Sequence, residues 1–297
     1  MQAMILAAGA GTRLLPHTLI RPKPLFPVLN QPLLLLTIKR LQRIGFDHIL
    51  INCHYLRDQV IAAIGDLSGV VVLEEETILG TGGGLRNALK YIRDEPLLVT
   101  NGDIYHTVDL AGFYSYHIAN NASVTLAMHD HLRFNKVCVS GGKVTSFDDS
   151  NDGIPLAFTG IHMINPEILE NIEPGSYSCI IDHYRKLLGA GIEISCYRAD
   201  ECFWTDMGTP GDYLDLHQGL LKKDIPCWSE FETVRRPYCI DKKAKLPANI
   251  ELAGWACIGG AHIENGSHLE RVVIWDDVCI PAGSHIVDQI VSGHSKK

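Results

Sequence analysis

Apolar runs of four or five residues alternate, in the first half of the chain, with longer segments whose apolar residues recur at helical spacing. The short runs predict buried β-strands and the longer segments predict helices. The predicted strands are Ala3–Leu6, His48–Asn52, Val70–Leu73 and Leu97–Thr100, and the predicted helices are Leu33–Ile44, Leu56–Ile64 and Leu85–Ile92. This alternation is typical of an α/β domain with a mixed, mostly parallel sheet, in which ligands bind beyond the carboxyl ends of the strands.

The pattern changes after Lys222, and two further regions follow. Residues 224–247 combine charge pairs with irregularly spaced prolines, which indicates a linker or covering segment. Beyond it, "AHIENGSHL" and "VCIPAGSHI" repeat with an offset of 17 residues and with aliphatic residues six apart. This hexapeptide spacing predicts a short left-handed parallel β-helix. We therefore predict a main domain over 1–223, a linker over 224–247 and the β-helix over 248–297.

Two coils of β-helix bury too little apolar surface to be stable alone, and their last strand has an open edge. We expect this tail to dock on the linker, on a second subunit or on both, with Trp255 and Trp275 on its outer face. The prediction is a homo-oligomer, first of all a dimer. His262, His268 and His285 lie in the tail, but two coils offer too little wall for the cleft of a hexapeptide acyltransferase.

Composition and charge narrow the function classes. The 297 residues are 46% hydrophobic with a net charge of -8 and no basic stripe, which argues against a nucleic-acid partner. The nine cysteines form no CxxC pair, so neither a zinc site nor a complete disulfide framework is indicated, and reduced thiols favour a cytoplasmic protein. The opening "MQAMILAAGA" lacks the charged start of a signal peptide, and no stretch has the length of a membrane span.

The stretch "LAAGAGTRLLPHTLIRPKPL", at positions 6–25, combines two glycines with two cations. Gly9 and Gly11 follow a predicted strand and allow backbone N–H groups to approach an anion closely. Two flanking prolines restrain Lys23, which together with Arg13 would face a polyphosphate. The stretch has no GK[ST] for a Walker loop and no third glycine for the dinucleotide fingerprint. A glycine turn without a ligand and a solvated lysine are the alternatives.

Five motifs occur in an order that resembles a known family. The segment "MILAAGAGTRLLPHTLIRPKPLFPV" is similar to the signature of the sugar-1-phosphate nucleotidyltransferases, or nucleotide-sugar pyrophosphorylases. The resemblance continues through "LGTGGGLRNAL" at 79–89, "NGD" at 101–103, "FTGIHMINP" at 158–166 and "WTDMGTPGDY" at 204–213. It implies a Rossmann-like (GT-A-like) nucleotidyltransferase domain over roughly the first 220 residues, and the hexapeptide tail also occurs in part of the family.

The resemblance also implies substrates, a cofactor and site residues. The substrates would be a nucleoside triphosphate and a sugar 1-phosphate, and the cofactor would be Mg²⁺ held by Asp103 and Asp206. These two aspartates, with Arg13 and Lys23, are the implied catalytic residues. The residues implied to contact the nucleotide are Leu6, Ala7, Ala8, Gly9, Gly11, Thr12, Arg13, Lys23, Glu75 and Gly80, and those implied on the sugar-phosphate side are Asn101, Thr159 and Gly160.

Three of these implied features also have a rationale in the residues themselves. Asp103 follows a predicted buried strand, which suits a ligand for a hard cation, and Asp206 is an acidic residue between Trp204 and Gly208. Each aspartate is alternatively a turn former or a helix cap. We interpret "GTGGG" at 80–84 as backbone that packs closely against the nucleotide base rather than as a flexible turn.

The sequence departs from the family in one place. Many members carry a Glu-Lys-Pro segment before the "TG" strand, whose lysine contacts the sugar phosphate. Here the stretch reads "KVTSFDDSNDGIPLAFTG", with Lys143 too early and no lysine near Pro155. A subset of the family that includes muramic-acid-phosphate uridylyltransferases also lacks the segment and carries the GTGG form. We therefore expect either guanylyl transfer to mannose or heptose 1-phosphate or uridylyl transfer to a muramate-type acceptor.

Two other function classes compete with this interpretation. A glycosyltransferase of similar fold would typically show an Asp-x-Asp metal motif, of which "NGD" supplies only one carboxylate. A catalytically silent regulatory homologue would have lost the triphosphate residues, which are all present here. His129 and His131 flank Asp130, and we expect both to be surface or hydrogen-bonded histidines rather than metal ligands.

Overall fold

The computed structural model of the chain describes residues 1–148, 153–231 and 234–293. Its strands are β1 (Gln2–Leu6), β2 (Pro27–Val28), β3 (Gln31–Pro32), β4 (His48–Cys53), β5 (Val70–Glu74), β6 (Leu97–Asn101), β7 (Ile104–His106), β8 (Val124–His129), β9 (Val137–Ser140), β10 (Lys143–Ser146), β11 (Ile154–Ile164), β12 (Ser195–Arg198), β13 (Trp204–Asp206), β14 (Tyr238–Ile240), β15 (Glu251–Ile258), β16 (His262–Ile263), β17 (His268–Ile274), β18 (Cys279–Ile280) and β19 (His285–Val291). Its α-helices are α1 (Leu33–Ile44), α2 (Arg57–Ile64), α3 (Gly80–Ala88), α4 (Leu110–Ala119), α5 (Ile180–Gly189) and α6 (Pro210–Lys222). Over these ranges, no helix combines the length and the apolar character that crossing a bilayer requires.

The chain divides into two compact units. The first unit consists of Met1–Ala10 and Ile38–Trp204, and the second consists of Gly11–Thr37 and the chain from Thr205 onward. This division differs from the predicted boundaries at 223 and 247, because residues 11–37 and helix α6 group with the C-terminal strands. The predicted linker also contains a strand, β14, which pairs with β15.

The first unit is built on a nine-stranded sheet in the order β5-β4-β1-β6-β11-β8-β12-β10-β9. The predicted strands of the first half are confirmed as β1, β4, β5 and β6, which pair in parallel. The sheet is mixed and mostly parallel, as predicted, because among its described strands only β10 and β11 run opposite to the other seven. Leu6 pairs in register with both Asn52 and Asn101, so β1, β4 and β6 reach the same edge of the sheet.

The core of the first unit explains why the apolar runs became strands. Met4, Leu50 and Val99 lie on the three central parallel strands and are fully buried. Tyr184 on α5 and Leu85 on α3 belong to the same cluster, so these helices cover the sheet with apolar side chains. Burying each such side chain contributes about 1.5–3 kcal/mol relative to leaving it in water.

Helix α3 corrects the interpretation of "GTGGG". The glycines lie inside the helix, which begins at Gly80 rather than at Leu85. A Cβ at Gly80 would lie 2.6 Å from the Ser178 carbonyl oxygen, and one at Gly83 would lie 2.5 Å from that of Ser176. The glycines are therefore needed for contact with the segment 176–178. Contact of Gly80 with a nucleotide base stays a prediction.

The C-terminal strands of the second unit form two parallel ladders. One ladder has the order β14-β15-β17-β19, and the other pairs β16 with β18. Glu251, His268 and His285 occupy one register position on successive strands, which matches the 17-residue period found in the sequence. The left-handed, triangular form of the coil stays a prediction.

The expectation that Trp255 and Trp275 lie on an outer face is wrong. Their exposed fractions are 2% and 1%. The Trp255 ring is stacked on His217 of α6, and the Trp275 ring packs edge-on against Phe26. These indoles are large enough to fill the space between the C-terminal strands and the rest of the second unit, which is why they are buried.

Candidate active site

The glycine loop begins at the carboxyl edge of the first unit's sheet. The Ala7 backbone N–H donates to Asn52 Oδ1 at 2.9 Å, and the Gly102 N–H donates to the Leu6 carbonyl at 2.9 Å. Asn52 lies one residue before the end of the apolar strand β4, and its amide fixes the first residue of the loop that follows β1. The predicted loop residues Leu6, Ala7, Ala8 and Gly9 thus start at the edge where α/β sheets bind ligands.

Asn52 also connects this loop to Glu75. Its Nδ2 donates to Glu75 Oε1 at 2.7 Å, and the Leu79 N–H lies 3.4 Å from Glu75 Oε2. Glu75 is 2% exposed, and its carboxylate is therefore held by protein donors in the interior. A Cβ at Gly84 would lie 2.7 Å from Asn52 Nδ2 and 2.9 Å from Glu75 Oε1. Gly84 consequently makes room for the Asn52–Glu75 pair.

The two loop glycines have different structural environments. Gly11 adopts the left-handed conformation with φ +62°, and a Cβ there would lie 2.9 Å from Thr18 and 3.3 Å from Lys23. Gly9 has no atom within 4 Å of the position that a Cβ would occupy. Internal packing therefore requires a glycine at position 11 but leaves open space beside position 9.

The backbone N–H groups of residues 8–13 are open donors. None of them makes a hydrogen bond to the described part of the protein, whereas the next two N–H groups close a 3₁₀ turn over Thr12–Leu14. Gly9, Thr12 and Arg13 are exposed to solvent. N–H groups without a protein acceptor can donate hydrogen bonds to an anion.

The predicted sugar-phosphate residues meet within the first unit. Gly160 has φ +77°, and a Cβ there would lie 2.4 Å from Asn101 Nδ2, so only a glycine allows this approach. Thr159 Oγ1 donates to the Ala127 carbonyl at 2.7 Å, and the Trp204 indole N–H donates to the Thr159 carbonyl at 2.8 Å. The Asn101 amide and the Thr159–Gly160 segment are thus fixed side by side.

Asp103 lies in the first unit, in the short turn between β6 and β7. Its half-buried side chain follows the edge reached by Asn101. This agrees with the position predicted for a carboxylate beyond a strand end.

The second unit brings together Arg13, Lys23 and Asp206. Lys23 Nζ lies 3.1 Å from Asp206 Oδ1, and Arg13 Nη2 lies 3.4 Å from Asp206 Oδ2. A Cβ at Gly208 would lie 2.8 Å from Arg13 Nη1 and 2.9 Å from Asp206 Oδ2. Gly208 therefore permits both charged groups to occupy this place.

The side chains of Arg13, Lys23 and Asp206 differ in their exposure to solvent. This difference determines how strongly water screens each charge. The Lys23 side chain is 7% exposed and that of Asp206 is 19% exposed, whereas that of Arg13 is 60% exposed. Two charges removed from water in this way stabilise each other only when they stay paired. The exposed Arg13 can reorient toward a ligand at lower cost than the buried Lys23.

The two residues implied to hold Mg²⁺, Asp103 and Asp206, are carboxylates. Carboxylate oxygens are the ligands that this hard cation prefers, and it commonly uses only one or two of them with substrate phosphates and water. Across residues 1–148, 153–231 and 234–293, no three His, Cys, Asp or Glu side chains cluster as an all-protein metal site. Asp206, whose side chain is 19% exposed, fits a partial ligand set of this kind.

His129 and His131, the two histidines that flank Asp130, have contacts within the protein. His129 Nδ1 and Nε2 lie 3.0 and 2.9 Å from the Asp130 and Cys202 carbonyls, as expected for a hydrogen-bonded histidine. The His131 ring packs edge-on against Trp204, with its centroid 5.6 Å away.

The sequence interpretation missed two residues of the site, Asn52 and Gly208. Asn52 carried a signal, since it is a single amide in the apolar run "HILINC" at the end of a predicted strand. Gly208 stands two residues after Asp206 in a quoted motif, but its role depends on side chains that only the fold brings near.

Comparisons with known proteins identify the family of the chain. The chain is 29% identical over 294 residues to mannose-1-phosphate guanylyltransferase of Mycobacterium tuberculosis, which covers 95% of this chain and 82% of that protein. It is 35% identical over 187 residues to N-acetylmuramate alpha-1-phosphate uridylyltransferase of Neisseria meningitidis, covering 59% of this chain and 80% of that protein. The fold is similar to that of HddC from Yersinia pseudotuberculosis, with a TM-score of 0.62, 24% identity and coverage of 72% and 97% of the two chains. Residues 2–223 match the Nucleotidyl transferase family model, and the chain therefore belongs to that family of enzymes.

Proposed function

We propose that the protein transfers a nucleotidyl group from a nucleoside triphosphate to a sugar 1-phosphate and releases pyrophosphate. The observation that carries this proposal is the exposed loop of residues 8–13, whose N–H groups are open donors and which ends at Arg13. Open donors followed by two cations suit a polyphosphate. The names of the similar proteins, a mannose-1-phosphate guanylyltransferase and an N-acetylmuramate 1-phosphate uridylyltransferase, support a sugar 1-phosphate as the acceptor.

The chemistry needs no general base, because a sugar phosphate is already ionised at neutral pH. One of its oxygens attacks the α-phosphorus in line, and the bond to the pyrophosphate oxygen breaks on the opposite side with the electron pair leaving on pyrophosphate. Positioning and charge neutralisation therefore account for the catalysis. Arg13 and Lys23 stabilise the leaving pyrophosphate and the equatorial oxygens, while Asp206 holds the Lys23 ammonium in place.

The open space beside Gly9 allows a ligand to approach the loop backbone. Asn52 fixes the start of this loop through the Ala7 N–H. The Glu75 carboxylate and the Asn101 amide are the first-unit groups that we assign to the nucleotide and to the sugar phosphate. Both assignments rest on the family resemblance and on the fixed positions of these two side chains.

Mg²⁺ is part of the proposal, with Asp103 and Asp206 as its protein ligands. When bound, the ion would neutralise charge on the α-phosphate and the acceptor phosphate. The competing role of Asp206 as the partner of Lys23 is compatible with this assignment, because a carboxylate has two oxygens and several acceptor positions.

Three finer features complete the proposal. The C-terminal ladders would wind as a left-handed β-helix, the chain would assemble as a homodimer, and the enzyme would act in the cytoplasm. The 17-residue register supports the first feature. Among the described residues β19 is the last strand of its ladder, which supports the second, and nine cysteines without a disulfide support the third.

The test is a screen of the purified protein with five nucleoside triphosphates against a panel of sugar 1-phosphates, with pyrophosphate release as the readout. We expect release that depends on both substrates, with a guanosine or uridine nucleotide giving the highest rate. Lys23→Ala is the matched control for contaminating activity. Absence of pyrophosphate release with every pair would overturn the proposal, and consumption of a nucleotide-sugar donor without pyrophosphate would favour a glycosyltransferase.

A further inference from the structure

We propose that Trp275, next to the C-terminal strand β17, is a positioning residue for Lys23. This inference rests on the proposed function, because it gives the tail a part in the same polyphosphate site. Every contact that supports it lies within the second unit.

Trp275 is in contact with the segment that carries Lys23 on both sides of the lysine. Its ring lies edge-on to Phe26, with centroids 4.7 Å apart, and the Arg21 guanidinium carbon lies 5.0 Å from its centroid. Its indole N–H donates to the Tyr213 hydroxyl at 3.2 Å, and that hydroxyl donates to the Pro27 carbonyl. One buried indole thus holds the chain before and after Lys23.

The segment between Lys23 and Phe26 is rigid, so the contact of Trp275 with Phe26 also fixes the position of Lys23. The Phe26 N–H donates to the Lys23 carbonyl at 3.0 Å, and the Leu25 N–H donates to the Pro22 carbonyl at 2.9 Å. A short 3₁₀ turn over Lys23–Leu25 therefore connects the Phe26 ring to the lysine, and two prolines limit other backbone conformations. A displacement of Phe26 consequently moves the Lys23 ammonium.

Other C-terminal residues fix the same segment at its two ends. Asp276 Oδ2 lies 3.7 Å from Arg21 Nη2, and Ser292 Oγ lies 2.6 Å from His17 Nδ1. Asn30 Nδ2 donates to the Ile258 carbonyl at 2.9 Å. The tail therefore contacts residues 17–30 at several points, and Trp275 contacts residues on both sides of Lys23.

The position of the ammonium matters because its partners are phosphate oxygens. Displacing a catalytic group by about 1 Å can reduce the rate about a hundredfold. The buried Lys23 side chain has little freedom to compensate for a shifted backbone. This part of the tail is for that reason a component of the active site rather than an accessory to it.

The experiment compares Trp275→Ala with a matched control, Trp255→Ala. Trp255 is also buried in the C-terminal strands, but its indole N–H donates to Gln218 of α6 at 3.2 Å and its ring is stacked on His217. We expect Trp275→Ala to lower kcat/KM for the triphosphate about tenfold, with KM for the sugar phosphate unchanged. The control should lose thermal stability to a similar extent but keep kcat/KM within about twofold.

A double-mutant cycle separates positioning from general damage. If Trp275 acts through Lys23, then Trp275→Ala in a Lys23→Ala background should change kcat/KM by less than about twofold. Trp275→Phe should recover part of the loss, since a phenyl ring keeps the edge contact with Phe26. The same tenfold loss in both backgrounds, or equal losses in the two tryptophan variants, would overturn the inference.

Two further controls cover a variant that fails to fold and a wild-type protein that lacks the proposed activity. Should Trp275→Ala fail to fold, Trp275→Phe and Arg21→Met replace it, and unchanged kcat/KM in both would overturn the inference. Should the wild-type protein release no pyrophosphate, the proposed function fails, and the dissociation constant of inorganic pyrophosphate becomes the readout. Weaker binding in the Trp275 variant than in the Trp255 variant would then still support positioning, and equal binding would contradict it.

Discussion

Lys23 and Asp206 form an ion pair, with 3.1 Å between Lys23 Nζ and Asp206 Oδ1, in which both side chains are largely removed from water. The pair joins the two cations of the opening motif to the acidic residue of the last motif. It also gives each residue two roles, because each stabilises the other's charge and each is assigned to substrate or metal. Substitutions at the two positions therefore have separable effects on activity and on stability.

Replacement of Lys23 by alanine should lower kcat/KM for the triphosphate by about a hundredfold or more, because a restrained charge against the polyphosphate is lost. Lys23→Arg should recover only part of the activity, since a guanidinium fork does not fit the space of an ammonium. Steady-state kinetics of pyrophosphate release checks both variants. Wild-type kinetics in Lys23→Ala would mean that the lysine has no catalytic role.

Removal of the Asp206 charge should lower both the catalytic activity and the stability of the protein. Asp206→Ala removes the carboxylate that pairs with the buried ammonium, which should cost about 2 kcal/mol of the free energy of unfolding or more. Asp206→Asn keeps an acceptor for Lys23 and should unfold closer to wild type, while activity falls about a thousandfold in both variants. Urea unfolding and kinetics are measured on the same preparations. Equal stability of the alanine and asparagine variants would argue against the ion pair.

Asp103 should be required for activity, because we assign it to Mg²⁺. Asp103→Ala should reduce activity about a thousandfold or more while the protein stays folded. Chelation of wild-type protein with EDTA should give the same loss, and added Mg²⁺ should restore it. Full activity after exhaustive chelation would contradict the metal assignment for both aspartates.

Local sequence predicts the strands and the helix that position much of this site. It does not predict contacts between residues that lie far apart in the chain. The strand ends at Leu6 and Asn101 and the helix α1 follow from apolar periodicity, which short-range physics controls. The burial of Trp275 depends on Phe26, some 250 residues earlier in the chain, and no local pattern carries such information. The same reason explains why the tryptophans were expected on an outer face and why helix α3 was expected to start after its glycines.

Gly84 and Gly9 allow a comparison between a glycine that internal packing requires and a glycine that we assign to nucleotide binding. Gly84→Ala should lower the free energy of unfolding by about 2 kcal/mol, because the new Cβ would lie 2.7 Å from Asn52 Nδ2. Gly9→Ala should leave stability within about 0.5 kcal/mol, since the space beside it is open, but raise KM for the triphosphate about tenfold. Wild-type kinetics in Gly9→Ala would show that the open space is not used by the nucleotide.

The buried His217 should make the protein sensitive to acid. Its Nε2 accepts from the Leu29 N–H at 3.3 Å and its Nδ1 donates to the Tyr213 carbonyl at 2.9 Å, which requires a neutral ring. Burial lowers the pKa of His217 to about 4, against an ordinary value of 6.5. Between these values the unfolded chain binds a proton that the folded chain does not, so stability is lost as the pH falls from 6.5 toward 4.

The expected slope for this one histidine is about 1.4 kcal/mol per pH unit, or about 2 kcal/mol between pH 6.5 and 5. His217→Gln retains an acceptor for Leu29 but does not titrate, so the free energy of unfolding should fall less steeply over this range. The exposed His262→Gln is the matched control and should keep the wild-type slope. Urea unfolding at pH 7, 6 and 5 measures all three proteins. Equal slopes in wild type and His217→Gln would contradict a neutral His217 in the folded state.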